Sequence, residues 1–103
     1  MLPMIDTRKA DIARLCRRFH VRRLEVFGSA ARGGDFDPRR SDVDFLVEFD
    51  AHPDADSFGT YFGLKEALEA LLGRPVDLVM PGAVDNPYLK AAIERSRESV
   101  YGA

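Results

Sequence analysis

Residues 26 to 49 read VFGSAARGGDFDPRRSDVDFLVEF, and the architecture turns on this stretch. Leu24, Val26 and Phe27 make a short apolar strand that runs straight into Gly28-Ser29 and the small residues Ala30 and Ala31, the order strand, glycine turn, helix start. From Gly33 to Ser41 the composition changes to Gly, Asp, Pro and Arg, with Asp37-Pro38 as a turn signal, so a loop follows. Val43, Phe45, Val47 and Phe49 then alternate with Asp42, Asp44, Leu46, Glu48 and Asp50, the period of two of a half-buried strand. That period puts the carboxylates of Asp42 and Asp44 on one sheet face, roughly 7 Å apart along the strand. The Val and Phe side chains fill the core behind them.

Working outward, residues 7 to 19 read as a helix. Thr7 is placed to cap it, and Ile12, Leu15, Cys16 and Phe19 recur at spacings of three and four. Cys16 is read as core packing, because burial among apolar neighbours keeps a thiol protonated and inert. On the other side, residues 58 to 72 carry Tyr61, Leu64, Leu68, Leu71 and Leu72 at helical spacing and stop at Gly73. Pro75 opens a third strand with Val76, Leu78 and Met80 on one face and Asp77 and Val79 on the other, and Pro81-Gly82 ends it. Asn86 caps a last helix with Pro87 at its first position and an inner stripe of Leu89, Ala92, Ile93 and Ser96. Val100 and Tyr101 add a short terminal strand. The order helix, strand, strand, helix, strand, helix predicts an α+β (α/β) fold, a small mixed sheet with helices packed on one side.

Composition bounds the rest. The chain has 103 residues, 46% of them apolar, and one cysteine. This fits a single domain over residues 1–103 that buries roughly two thirds of its unfolded surface without disulfides or a structural metal. No apolar run approaches membrane-spanning length, and Asp6, Arg8 and Lys9 stand where a signal peptide needs its apolar stretch, so a cytoplasmic protein is expected. The formal net charge of −2 argues against nucleic-acid binding as the main function. It conceals a segregation: Arg8, Lys9, Arg14, Arg17, Arg18, Arg22 and Arg23 face Asp11 alone, whereas Asp35, Asp37, Asp42, Asp44, Glu48, Asp50, Asp54 and Asp56 outweigh Arg39 and Arg40. Such patterning describes a solvated basic helix beside an acidic loop, or an acidic cation-binding centre with a basic flank.

Three features bear on chemistry: the Gly28-Ser29 turn, the pair Asp42 and Asp44, and Asp77 on the polar side of another strand. Alone, each has an ordinary reading as a tight turn, a solvated strand end or an edge residue. Together they describe a phosphate-transfer site. Mg2+ takes hard oxygen ligands and bridges to phosphates. In a two-metal site the ions lie about 3.5–4 Å apart and serve the attacking and leaving oxygens of an in-line displacement. A third carboxylate ligates metal or accepts the proton of an incoming hydroxyl. Gly28 permits close backbone approach, and Ser29 with the amides at a helix start donates to phosphate oxygens.

At these residues the chain resembles the minimal nucleotidyltransferases (MNT), the small branch of the polymerase-beta-like nucleotidyltransferase superfamily. The family pattern is Gly-Ser, a spacer, Asp-x-Asp and a later acidic residue. Here it runs through residues 26 to 49 and then RPVDLVMP, residues 74 to 81, with a spacer from Ala30 to Ser41 slightly longer than the commonest form. The likeness extends to Ala31-Arg32-Gly33, Ser41 and the Phe-Leu-Val of the Asp-bearing strand. It implies a nucleotidyltransferase fold, nucleotide phosphates held by Gly28 and Ser29, Mg2+ as two ions held by Asp42 and Asp44, and Asp77 as the third catalytic carboxylate and metal ligand. Arg32 contacts phosphate or bonds loop carbonyls; Ser41 orients Asp42 or ends the loop.

The resemblance also implies a partner. Members of this size commonly serve as antitoxins that move AMP from ATP onto a tyrosine hydroxyl of a HEPN ribonuclease toxin. The brevity of the chain agrees with an acceptor supplied by another protein. Three other readings stand beside this: an antitoxin that neutralises by binding alone, transfer to a small molecule as in relatives with an added helical domain, and nucleic-acid binding through the basic first helix.

Overall fold

The computed structural model describes residues 3–28, 42–51 and 57–102. In chain order the elements are α1 (Pro3–Asp6), α2 (Lys9–Arg18), β1 (Val21–Phe27), β2 (Val43–Phe49), α3 (Ser57–Leu72), β3 (Val76–Val79), a 3-10 turn (Pro81–Ala83), α4 (Pro87–Ser96) and β4 (Glu98–Tyr101). The four strands form one sheet in the order β3-β2-β1-β4. β1 is antiparallel to β2 and β4, and β2 is parallel to β3. A parallel pair needs a crossover, which α3 supplies. The sheet is therefore mixed, as the strand and helix order predicts.

Alternation in β2 partitions the two faces. Val43, Phe45 and Val47 are fully buried and join Leu24, Val26, Val76, Leu78 and Val100 beneath Ile12 and Cys16 of α2 and Leu64 and Leu68 of α3. Burial pushes the Cys16 thiol up to about 12, the neighbouring Arg17 opposing this only weakly, which keeps it inert. Gly63 is where α3 meets the chain after α2: a Cβ there would come 2.7 Å from Phe19 Cε1.

The opposite face holds a second, smaller cluster of Phe27, Leu46, Val84 and Ile93, with Val79 packed on it. Ile93 belongs to α4, so the principal helices cover one face as expected while the last helix lies across the other. Periodicity marks an apolar stripe but not which side of the sheet receives it.

Several local expectations are refined. Asn86 caps α4 as predicted, its side chain accepting from the amides of Tyr88 (2.8 Å) and Leu89 (3.3 Å). Thr7 does not cap α2. Its hydroxyl donates to the Pro3 carbonyl at 2.9 Å, closing the unforeseen α1, and Arg8 occupies the cap position of α2 without a side-chain bond. β1 begins at Val21 rather than Leu24, because Arg23 pairs across the ladder with Glu48 (Nη2 to Oε2, 3.0 Å). Leu89, expected in the inner stripe, remains 38% exposed. His20 turns the chain from α2 into β1 in the left-handed region (φ 59°).

Candidate active site

β2 is an interior strand, so Asp44 has a neighbour on each side. Phe27 of β1 stands opposite it and Asp77 of β3 stands beside it in register, and lateral neighbours in a sheet share a face. Asp42, two residues back and just before β2, lies on that face by the period of the strand. The structure thus brings together Asp42, Asp44 and Asp77, which lie up to 35 residues apart in sequence. Asp42 and Asp77 are exposed and Asp44 is half-buried.

The electrostatics follow from that placement. Burial beside Phe27 and Leu46, then repulsion from Asp77 and from Asp42, pushes the Asp44 carboxyl up from 3.8 to about 6. A charged Asp44 held beside two further carboxylates on a partly apolar floor is disfavoured unless positive charge is shared among them.

Gly28 closes the site from β1. Its φ of 71° is left-handed, and a Cβ placed on it would lie 3.0 Å from Asp44 Oδ2, so the turn requires glycine on both backbone and packing grounds. The Gly28 amide donates to Ser96 Oγ at 2.9 Å. Ser29, Arg32 and Ser41, the other expected nucleotide contacts, lie outside the described residues.

Sequence reasoning missed two further features of this face. Glu25, 6% exposed, accepts from Arg97 Nε and Nη2, both at 2.7 Å, while Arg23 Nε stands 3.4 Å from it. Ser96 was legible only as a polar residue on an apolar stripe, which is the signal that a buried hydroxyl has a partner.

Among the described residues no three His, Cys, Asp or Glu side chains close into a ready-made metal cluster. Mg2+ does not need one: it binds through one or two carboxylates and completes its shell with water and phosphate oxygens. Hard oxygen donors on one sheet face, the central one raised by burial and then by its carboxylate neighbours, fit that mode. Among the described residues no helix is long and apolar enough to cross a membrane.

Comparison with known proteins identifies the family. The model of the nucleotidyltransferase domain family matches residues 12–100. The protein adenylyltransferase MntA of Thermococcus cleftensis is 44% identical over 87 residues, 84% of this chain and 80% of that protein. A solved minimal nucleotidyltransferase has a TM-score of 0.70 at 34% identity, covering 90% of this chain and 89% of that one. A chain in the complex of a tri-AMPylated Shewanella oneidensis HEPN toxin with an MNT antitoxin has the same fold, with a TM-score of 0.64 at 19% identity, covering 96% of this chain and 73% of that one. Since the family match runs from within the second helix to the last strand, and a named protein adenylyltransferase aligns over most of both lengths, the chain belongs to the nucleotidyltransferase domain family, on its minimal branch.

Proposed function

We propose that the protein is an antitoxin enzyme that transfers AMP from ATP to a tyrosine hydroxyl of a HEPN-domain toxin and thereby neutralises it. The observation that carries this reading is Asp44 set between Asp42 and Asp77 on one sheet face, with the Gly28 turn against it. It is supported by the likeness to MntA, a protein adenylyltransferase, and by the shared fold with a chain of the HEPN–MNT complex.

In this reaction the acceptor oxygen forms a bond to the α-phosphorus while the bond to the pyrophosphate oxygen breaks in line. Asp77 is on the edge strand β3 and exposed, so an acceptor hydroxyl from another protein can reach it and leave its proton on the carboxylate. The Gly28 turn lets the triphosphate approach the backbone closely. Asp42 and Asp44 are the residues that would hold Mg2+, with Asp77 as a further ligand, as two ions. Bound there, Mg2+ supplies charge neutralisation for the phosphates and the leaving pyrophosphate. Ser29, Arg32 and Ser41 are proposed to complete the phosphate contacts and the orientation of Asp42.

The test is to incubate the protein with the HEPN toxin and Mg-ATP and weigh both chains intact. One or more adenylyl units on the toxin, absent with Asp42→Asn or Asp44→Asn, is the expected result. Equal suppression of toxin activity by wild type and both variants, with no mass change, would establish neutralisation by binding alone.

A further inference from the structure

Ser96 ends α4 with its side chain buried, 8% exposed, and its hydroxyl is used twice. It donates to the Ala92 carbonyl at 2.8 Å within the helix, and it accepts the Gly28 amide at 2.9 Å. A helical serine concerned only with its own backbone makes the first bond. The second spans 68 residues and ends on the residue whose missing Cβ leaves room for Asp44.

The two bonds cooperate. Donation to Ala92 fixes the hydroxyl rotor, so a lone pair is aimed at Gly28. The adjacent Arg97 holds Glu25 by two bonds of 2.7 Å. The end of α4 is therefore tied to both Glu25 and Gly28, at the two ends of the last stretch of β1. Lacking a Cβ, Gly28 fits against Asp44, and it cannot retreat from Ser96 without leaving a part-buried amide unpaired.

We infer that Ser96 is a positioning residue for nucleotidyl transfer: its hydroxyl holds the Gly28 turn at a set distance from Asp44 and so fixes where the triphosphate lies relative to the carboxylates. The inference rests on the nucleotidyltransferase reading above. Removing the oxygen loosens the turn that receives the phosphates, which weakens ground-state and transition-state alignment together and raises KM more than it lowers kcat.

The experiment compares wild type with Ser96→Ala, Ser96→Thr and Val84→Ala in transfer kinetics and in amide hydrogen exchange at Gly28 followed by NMR. Val84 packs with Ile93 of α4 and its backbone amide donates to the Pro81 carbonyl, so truncating its side chain removes packing and no hydrogen bond. In Ser96→Ala, KM for ATP should rise about tenfold, the equivalent of one hydrogen bond, and Gly28 exchange should quicken by a similar factor. Ser96→Thr, which keeps the oxygen, and Val84→Ala should both stay near the wild-type KM. An unchanged KM in Ser96→Ala, a Gly28 amide still protected in that variant, or an equal KM rise in Val84→Ala each overturns the positioning role. A wild-type protein that neither binds nor transfers nucleotide instead overturns the functional reading, and the positioning role falls with it.

Discussion

Asp44 is held where its charge is least welcome. Its carboxyl is raised to about 6 by burial, then by Asp77 and Asp42, so the folded state binds this proton more tightly than the unfolded chain. The linkage has a definite sign: the stabilisation is complete below the ordinary value of 3.8 and is lost as pH rises through about 6. Asp44→Asn in metal-free protein should therefore unfold at higher denaturant than wild type at pH 7.5. Discounted for partial exposure, the gain is about 1–2 kcal/mol, and it should vanish by about pH 3.5. Urea titrations at the two pH values measure it, and an equal effect at both would refute the assignment. Under the proposed function the same substitution should abolish transfer, the ordinary opposition between a charged site and stability.

Single side chains fix where some of the helices begin and end. α4 begins with the Asn86 side chain on the amides of Tyr88 and Leu89, which would otherwise have no partner in the helix. Asn86→Ala should cost about 1 kcal/mol and Asn86→Asp should cost little, since a carboxylate both caps and meets the positive end of the helix. Thermal denaturation followed by circular dichroism separates the two. α2 lacks a side-chain cap and depends on Ile12 and Cys16, both fully buried. β2 was legible because apolar and acidic residues alternate along it. β1 was legible only from Leu24 onward, since Arg22 and Arg23 look like loop charges until Glu48 is known to lie across from them.

For the molecule as a whole, the site is a joint between three distant parts of the chain. β2 contributes Asp44, β3 contributes Asp77, and the end of α4 anchors β1 through Arg97 and Ser96. Arg97 caps α4, and its two bonds neutralise the buried Glu25, whose charge would be costly to leave alone. Arg97→Met alone should destabilise by about 3 kcal/mol, whereas Arg97→Met combined with Glu25→Leu should recover most of that, because a buried ion pair is worth little over well-packed apolar residues. Equilibrium unfolding of the single and double variants decides the point: additive losses would show that the pair is not coupled.

The local pieces were legible in the order of residues alone. That order placed Asp42 and Asp44 on one face of a strand, put a glycine where the chain must turn left-handed, set Asp77 on the polar side of its strand and capped the last helix at Asn86. Those follow from side-chain period and backbone sterics, which act over a few residues. Only the tertiary structure decided that Asp77 lies beside Asp44, that α4 crosses the site face, and that Ser96 and Arg97 hold Gly28 and Glu25. Strand register and helix placement are settled by burying apolar surface and pairing polar groups across long loops, and no local period in the chain encodes which partner is met.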